Sequence, residues 1–282
     1  MKVLFVGGGN MARAILGGLI AQEIPPANFR VVEPVEAARE AIAALGVNAG
    51  ASLATDSIDC DAIVLAVKPQ MMREAISGLK GSLTSQAVIS IAAGIDTASL
   101  AIWLGDLAAP YLNIVRAMPN TPALIRAGIT GLYAAPGVTA EGRRIAGSLL
   151  DAVGKTVWFD DEAMLDAVTA VSGSGPAYVF YFIEALEQAA LELGFDREAA
   201  SLFARQTFLG GAQLATSTDE APGVLRARVT SARGTTESAI EVFDRHALKN
   251  AFIDGVKAAC ARSRELGREL GAAPIDSARG AV

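Results

Sequence analysis

The chain opens with a short apolar run followed by three glycines. Residues 7–12 read Gly-Gly-Gly-Asn-Met-Ala and fit the dinucleotide fingerprint G-x-G-x-x-G/A. In that pattern the glycines permit a tight turn and leave room for a pyrophosphate, whose oxygens bind the N–H groups at the start of the next helix. A lone fingerprint also occurs in ordinary turns, but its place between the first strand and the first helix favours a dinucleotide site. The contacts are expected from Gly7, Gly8, Gly9, Asn10 and Met11.

An acidic residue stands where the second strand should end. Glu33 lies about 20 residues beyond the glycines, where a carboxylate accepts hydrogen bonds from the adenosine ribose. Such a carboxylate repels a 2′-phosphate, which favours NADH over NADPH. Arg39 is close enough in sequence to oppose that preference, and a solvated acid at a strand end is the alternative interpretation.

Three further segments follow predicted strands and are rich in small residues and proline, namely 66–70, 92–94 and 118–122. The loops at the carboxyl edge of an open parallel sheet line the crevice that binds ligands, although any one of these segments alone could be a plain turn. The residues expected to contact the cofactor are Ala66, Val67, Lys68, Pro69, Ala92, Ala93, Gly94 and Asn120.

A polar, glycine-containing segment, 229–237, leads into a predicted helix. The N–H groups of Gly234, Thr235 and Thr236 would form a nest for a small carboxylate, and Ser231 and Thr236 would add hydroxyls. A plain Ser/Thr helix cap is the alternative. The segment 172–176, Ser-Gly-Ser-Gly-Pro, is equally open to interpretation as a ligand loop or as a hinge between helices.

The single histidine bears on the chemistry. Hydride reduction of a carbonyl usually needs a proton donor such as His, Lys or Tyr, because negative charge develops on oxygen. His246 falls at a junction of two helices, where a capping or surface role is favoured, and Lys68 suits contact with a cofactor phosphate at least as well as proton donation. A protonated imine already carries its proton, so an imine acceptor fits this chain better than a carbonyl.

The elements that position these residues change in type along the chain. Up to about Asp160, runs rich in Val, Ile and Leu alternate with amphipathic stretches, which is typical of βαβ units around a parallel sheet. Beyond Asp160 only helical patterns follow. The strands are expected at 2–6, 29–33, 62–67, 87–91, 112–117, 130–134 and 156–159, and the helices between them at 11–22, 35–45, 70–79, 97–104 and 139–153.

One helical stretch of the second half, 177–183, is apolar on every side. Such a helix must be covered all round, and a domain of about 110 residues has little interior to cover it, so a second subunit is expected to do so. The predicted fold class is therefore α/β, with an N-terminal Rossmann-like, doubly wound parallel sheet and an all-α C-terminal dimerisation domain. The expected boundaries are 1–160 for the dinucleotide-binding domain, 161–270 for the helical dimerisation and substrate domain, and 271–282 for a tail.

Composition limits the class of protein. The 282 residues are 52% hydrophobic and 19% charged, with a net charge of −6, which disfavours disorder and a nucleic-acid partner. Uncharged stretches are too short for a membrane span, and no leader pattern precedes the first strand, so a cytoplasmic protein is expected. Cys60 and Cys260 belong to no cluster of metal-binding spacing, so no metal is expected.

Taken together, these segments resemble the pyrroline-5-carboxylate reductase family. The resemblance rests on five motifs in order over nearly the whole chain, at residues 7–11, 66–70, 118–122, 172–178, and 229–231 with 234–236. It implies hydride transfer from NAD(P)H to the imine carbon of 1-pyrroline-5-carboxylate, giving L-proline in the last step of proline biosynthesis. It also implies a homodimer or a ring of dimers, with one site built from two chains.

The resemblance assigns roles in the segment 229–237. It implies that Thr236 hydrogen-bonds the ring nitrogen and that Ser231 and the backbone at Gly234 and Thr235 hold the substrate carboxylate. The substrate-binding set is Val229, Ser231, Arg233, Gly234, Thr235 and Thr236, with Thr236 and Ser231 as the catalytic residues.

The chain departs from the family pattern in two places. Ala232 and Arg233 replace the usual Pro-Gly pair, and an arginine there could contact the carboxylate or serve the subunit interface. The pair Glu33-Pro34 puts the usual NADPH preference in doubt. Two alternative functions remain: reduction of another cyclic imine acid, and a non-catalytic NAD(P)-binding sensor.

Overall fold

The apolar runs of the first 160 residues pair into one sheet in the computed structural model, which describes residues 1–53 and 58–271. Its eight strands lie in the order β3-β2-β1-β4-β5-β6-β7-β8. The strands are β1 (Val3–Val6), β2 (Phe29–Val32), β3 (Asn48–Gly50), β4 (Ala62–Leu65), β5 (Ala87–Ser90), β6 (Ile114–Met118), β7 (Gly128–Ala134) and β8 (Gly154–Phe159). The fold class predicted from the sequence is confirmed.

The helices follow the strands in alternation and then run to the end of the described chain. They are α1 (Asn10–Ala21), α2 (Glu36–Ala43), α3 (Met72–Ala75), α4 (Thr97–Leu104), α5 (Ala140–Asp151), α6 (Met164–Val168), α7 (Gly175–Glu192), α8 (Arg197–Thr216), α9 (Pro222–Arg228), α10 (Thr235–Arg245) and α11 (Leu248–Gly271). No helix of the described residues is long and apolar enough to cross a membrane.

Three details differ from the prediction. The strand β3 was not expected, because Asn-Ala-Gly has no strand-forming residue and is placed only by pairing with β2. The strand β7 runs antiparallel to β6, since the link between them is too short for a crossover helix. The helix expected over 70–79 is one α turn, α3, between two 3-10 turns at Pro69–Met71 and Ser77–Leu79.

The sheet is buried on both faces. The strands β1, β4 and β5 are buried along their whole length, as expected for central parallel strands. Alternate residues of β1 point to opposite faces, with Val3 and Phe5 in one core cluster and Leu4 and Val6 in the other. The first cluster includes residues of α1 and α5, and the second includes residues of α3 and α4. Helices therefore cover both faces, which is the doubly wound arrangement.

The chain forms two compact units. The first contains the described residues of Met1–Gly173 together with residues 259–271, and the second contains Ser174–Ala258. The helix α11 thus contributes its first half to the second unit and its last turns to the first. The boundary expected between residues 160 and 161 stays a prediction, and the expected tail lies, apart from Gly271, outside the described residues.

The second unit is all helical and leaves much apolar surface open. Of its residues that the structure describes, Ala200 and Ala204 are the hydrophobic ones that are buried in the single chain. One side of α7 packs its rings on α11, with the centroids of Tyr178 and Phe252 5.7 Å apart. The other side is exposed, and Tyr181 keeps 69% of its accessible surface. A soluble monomer rarely exposes so many large apolar side chains, so this surface is typical of an interface.

Candidate functional site

The glycine segment forms the turn from β1 into α1. Gly7 has a φ of +102°, and a Cβ on it would lie 2.7 Å from the carbonyl oxygen of Ala66, so the position needs glycine on both counts. Gly9 is the N-cap residue of α1, and no heavy atom lies within 4 Å of the place its Cβ would take. The turn therefore leaves open space directly in front of a helix N-terminus.

The start of α1 has free donors. No side chain caps the helix, and the N–H groups of Asn10, Met11 and Ala12 have no acceptor in the described part of the chain. The Asn10 side chain instead accepts a hydrogen bond from the guanidinium of Arg13. Unpaired N–H groups and the positive end of the helix dipole attract phosphate, so this terminus fits the pyrophosphate of a dinucleotide.

Glu33 lies against the glycine turn. Its Oε2 accepts a hydrogen bond from the N–H of Gly8 at 2.8 Å, and its Oε1 accepts one from the N–H of Val35 at 2.9 Å. The Nη1 of Arg39 donates to the carbonyl oxygens of Glu33 and Pro34 at 2.9 and 2.6 Å. The carboxylate and the guanidinium are therefore both held at the carboxyl end of β2, beside the turn.

The other predicted cofactor segments end neighbouring strands. Ala66 touches Gly7 at the point where β4 leaves the sheet, and Val67 lies within about 3 Å of a Cβ placed on Gly7. Since the chain runs from β1 outward to β3 and returns to β4 on the other side of β1, this is the topological switch point of the sheet. Open parallel sheets bind their ligands there. Lys68 is exposed, and Pro69 begins a 3-10 turn.

The segment after β5 packs against the last turns of α11. Ala92 is buried, Ala93 is half-buried, and Gly94 has a φ of +77°. A Cβ on Gly94 would lie 3.5 Å from the backbone nitrogen of Gly267 in α11. The last turns of α11 therefore pack closely against the loop that is expected to contact the cofactor, and local sequence patterns do not reveal this packing.

Asn120 is buried, and its amide is engaged within the chain. Its Oδ1 accepts a hydrogen bond from the N–H of Ile129 at 2.9 Å, and its Nδ2 donates to the carbonyl oxygen of Ser172 at 3.1 Å. It thus fastens the end of β6 to β7 and to the π-helical turn Thr169–Gly173. A direct contact between Asn120 and the cofactor stays a prediction.

A buried ion pair near this edge was missed by sequence reasoning. The Glu162 carboxylate accepts hydrogen bonds from the Thr97 N–H at 2.8 Å and the Thr97 hydroxyl at 2.7 Å, and Arg116 Nη1 lies 3.2 Å from its Oε1. The Arg116 side chain is only 7% exposed. Thr97 begins α4, directly after the Ala92–Gly94 loop, so the pair anchors that loop. The signal in the sequence was an arginine inside an otherwise apolar strand.

In the second unit, the segment 229–237 forms a tight turn into α10. Arg233 has a φ of +56°, and its N–H donates to the carboxylate of Glu237. The Gly234 N–H donates to the carbonyl oxygen of Ser231 at 3.0 Å. A Cβ on Gly234 would lie 2.5 Å from the Ser231 hydroxyl oxygen, which can rotate away, and 2.9 Å from the Ser231 carbonyl oxygen, which is fixed by the backbone, so this approach favours glycine.

The start of α10 resembles the start of α1. Gly234 is its N-cap residue, and no side chain caps the helix, so the alternative of a plain Ser/Thr cap is wrong. The N–H groups of Thr235, Thr236 and Glu237 have no acceptor in the described part of the chain. Val229, Ser231 and Arg233 are exposed around them. The structure thus brings the predicted substrate-binding residues together at a helix N-terminus that can bind a carboxylate.

Two other predicted features are placed as follows. His246 is the C-cap residue of α10 and is exposed, as the junction of two helices suggested. The segment 172–176 is not a loop, because Ser172 and Gly173 end the π-helical turn and α7 begins at Gly175 with Pro176 in its first turn. The Ser172 hydroxyl donates a hydrogen bond to the Val168 carbonyl oxygen at 3.0 Å.

Comparison with known proteins covers both units. The family model for "Pyrroline-5-carboxylate reductase dimerisation" matches residues 162–266, and the one for "NADP oxidoreductase coenzyme F420-dependent" matches residues 2–94. The pyrroline-5-carboxylate reductase of Pseudomonas aeruginosa is 46% identical over 272 residues, covering 96% of this chain and 98% of that protein. That of Escherichia coli is 38% identical over 95% of this chain and 98% of its own length.

Solved structures agree. A pyrroline-5-carboxylate reductase from Coxiella burnetii superposes with a TM-score of 0.86 at 40% identity, over 94% of this chain and 98% of that chain. The Plasmodium falciparum pyrroline carboxylate reductase with NADP bound gives a TM-score of 0.83 at 27% identity, over 95% and 98%. The resemblance drawn from the five motifs is confirmed. This chain belongs to the pyrroline-5-carboxylate reductase family.

Proposed function

We propose that this protein reduces 1-pyrroline-5-carboxylate to L-proline with a reduced nicotinamide dinucleotide, as the final step of proline biosynthesis in the cytoplasm. The observation that carries the substrate assignment is the uncapped N-terminus of α10, where the N–H groups of the three residues after Gly234 have no acceptor in the described chain. Membership of the family, and the reductase activity for which its relatives are named, support the reaction class.

The helix α10 binds the substrate in this proposal. The N–H groups of Thr235 and Thr236 hold the carboxylate, and the hydroxyl of Ser231 adds a third donor. The Thr236 hydroxyl accepts a hydrogen bond from the protonated ring nitrogen, which fixes the face of the ring. Val229 supplies apolar contact, and Arg233 adds positive charge beside the carboxylate. Thr236 and Ser231 are therefore the residues proposed to contact the reacting ring.

The chemistry needs little from the protein beyond alignment. When bound, the dihydronicotinamide supplies the hydride that adds to the imine carbon, and the π electrons of the C=N bond move to the ring nitrogen. Because that nitrogen is already protonated, the secondary amine forms without a strong acid from the chain. The task of the residues around Thr236 is to hold the imine carbon in line with the donor.

The cofactor is assigned to the carboxyl edge of the sheet. The N–H groups of Asn10 and Met11 and the open space at Gly9 suit the pyrophosphate, and the half-buried Glu33 suits the ribose hydroxyls. We assign a preference for NADH. Each carboxylate oxygen of Glu33 accepts one hydrogen bond from the protein and keeps a free lone pair for a ribose hydroxyl, and the negative charge of the carboxylate repels a 2′-phosphate. The remaining proposed contacts are Gly7, Gly8, Ala66, Val67, Lys68, Pro69, Ala92, Ala93, Gly94 and Asn120.

The exposed helices of the second unit form the proposed self-association surface. Val179, Phe180 and Tyr181 on α7 and Leu202 on α8 are each more than 45% exposed in the single chain. A second copy that packs on this surface would cover the helix over 177–183, which is apolar on every side and was predicted to need such cover. A homodimer is the minimal assembly, and the resemblance extends it to a ring of dimers.

The test is a steady-state assay with synthetic 1-pyrroline-5-carboxylate and NADH or NADPH in turn. We expect turnover with both and a higher kcat/KM with NADH. In Glu33→Gln the ratio should move toward NADPH, because the repulsive charge is gone. A clear NADPH preference of the unaltered protein would remove the role given to Glu33.

The same assay distinguishes the alternative functions. Cofactor binding without substrate-dependent oxidation of NADH would identify a sensor. Faster turnover of a six-membered imine would identify another cyclic imine acid as substrate.

The role of Thr236 is tested by Thr236→Ala. Loss of a hydrogen bond to a charged group predicts a fall in kcat/KM of roughly 10- to 100-fold, with cofactor affinity unchanged. Ser238→Ala, which removes an exposed hydroxyl from the same helix, is the matched control. Equal activity of the Thr236 and Ser238 variants would contradict the assignment.

A further inference from the structure

A concave site with a charged lining lies in the first unit, beside the loop that follows β5. It is a surface pocket of about 720 Å³ between the start of α4, β6, α6 and the last turns of α11. Its charged lining comprises Arg116, Arg264, Arg268, Asp96 and Asp166, and Gly94 closes one side. Nothing in the proposed reaction uses these charged groups.

The two acids of the pocket already have hydrogen-bond donors from the protein. The Asp166 Oδ1 accepts a hydrogen bond from the hydroxyl of Ser263 at 2.7 Å. The Asp96 Oδ1 accepts one from the N–H of Ser99 at 2.7 Å, which caps α4. One oxygen of each carboxylate is thus already engaged in a hydrogen bond within the protein.

The two arginines of α11 are not paired in this way. Within residues 1–53 and 58–271, neither Arg264 nor Arg268 forms an ion pair. The one hydrogen bond from either side chain runs from Arg268 Nε to the Arg264 carbonyl oxygen at 3.4 Å. Spaced four residues apart, they extend from the same face of the helix. Two guanidinium groups therefore face the pocket with most of their donors unused.

Arg116 adds a third, buried guanidinium. Within the described residues its guanidinium has one partner, Glu162, 3.2 Å from Nη1, and the side chain is 7% exposed. No fully buried side-chain nitrogen or oxygen atom of the described chain lacks a hydrogen-bond partner, so the other nitrogens of Arg116, a residue that lines the pocket, keep some accessible surface. Donors fixed by burial bind an anion at a lower entropic cost than flexible surface side chains.

We propose that this pocket binds a small anion with planar or tetrahedral oxygens, a carboxylate or a phosphate group, through Arg116, Arg264 and Arg268. Guanidinium groups match both ligands with paired N–H donors. The occupant would bridge α11 to the start of α4, next to the Ala92–Gly94 loop. The proposal concerns binding only and does not depend on the reaction proposed above.

Isothermal calorimetry on the full chain tests it with inorganic phosphate and with malonate as the two probes, at an ionic strength held constant with chloride. Saturating NAD⁺ is present to fill the glycine turn, and L-proline to fill the start of α10. The double variant Arg264→Gln/Arg268→Gln removes two exposed guanidinium groups of the pocket. Arg262→Gln is the matched control, because Arg262 lies on the same helix, is 53% exposed and pairs with Glu265 and Glu269 outside the pocket.

We expect the unaltered protein and Arg262→Gln to bind one probe anion per chain with equal affinity, and the double variant to bind at least about tenfold more weakly. The stronger of the two probes identifies the ligand class. Equal binding by all three proteins, or no saturable binding of either probe by the unaltered protein, would overturn the proposal. Thermal unfolding without the anion is measured alongside, and a similar midpoint for all three proteins is expected because the altered side chains are exposed.

Discussion

Two glycines of the same turn should fail in different ways when they are replaced by alanine. At Gly7 the backbone is in the left-handed region, and a Cβ would lie 2.7 Å from the Ala66 carbonyl oxygen. Strain of about 1–2 kcal/mol and overpacking of about 1–3 kcal/mol then add to a loss of roughly 2–5 kcal/mol in the free energy of unfolding. At Gly9 the backbone is extended and the Cβ meets no heavy atom within 4 Å.

Gly9→Ala should therefore fold almost normally. A modest loss of N-cap preference is offset by the lower conformational entropy of the unfolded chain, so the net change is within about 1 kcal/mol. The new methyl group instead occupies the space in front of α1 that is assigned to the pyrophosphate. Losing one or two charged hydrogen bonds predicts a cofactor dissociation constant raised roughly 10- to 100-fold.

Differential scanning fluorimetry and a fluorescence titration with NADH measure the two effects on the same proteins. At roughly 2–4 °C per kcal/mol for a chain of this size, Gly7→Ala should melt about 4–20 °C lower and Gly9→Ala within about 4 °C of the unaltered protein. Gly17→Ala is the control, because it lies in α1 with no atom near its Cβ and should leave cofactor affinity unchanged. Normal NADH affinity in Gly9→Ala would refute the assignment of the turn.

Two further predictions concern buried groups. Glu162→Ala leaves the Arg116 charge buried without its partner, so we expect a loss of about 3 kcal/mol or more in urea unfolding. Glu162→Gln, which keeps an acceptor for Thr97, should lose less. A Glu162→Ala variant as stable as the unaltered protein would show that the ion pair is unimportant, and equal losses in the two variants would show that the acceptor for Thr97 adds nothing. Burial raises the pKa of the Cys60 thiol to about 11, so the reactive thiolate is scarcer at pH 8 in the folded protein than in the unfolded chain. Alkylation of Cys60 by iodoacetamide at pH 8 should therefore be roughly 100-fold slower in the folded protein than in the urea-unfolded chain. Equal rates would contradict this.

The sequence predicted those features that depend on neighbouring residues. The turn at Gly7–Gly9 and the helix that starts after Gly234 follow from residue types a few positions apart, and both are recognisable without knowledge of the rest of the chain. The positions of the central strands β1, β4 and β5 follow from apolar runs that are buried on both faces. For these elements, local preference and tertiary position agree.

The features that were missed depend on distant residues. Arg116 and Glu162 are paired across elements, and neither position carries a local signal that names the other. The strand β3 exists because β2 offers a free edge, and β7 is reversed because of the length of the link before it. The pairing of Asn120 with Ser172 likewise appears only in the folded chain. Tertiary context, rather than propensity, decides each of them.

The contact of Gly94 with Gly267 has a consequence for the order of folding. The two residues are roughly 170 positions apart, and the whole second unit is synthesised between them. The first unit is therefore discontinuous in the chain, and the loop that follows β5 can contact Gly267 only after α11 has left the ribosome. A contact of such long range forms late, because loop closure must precede it. The cofactor half, although encoded first, is completed last.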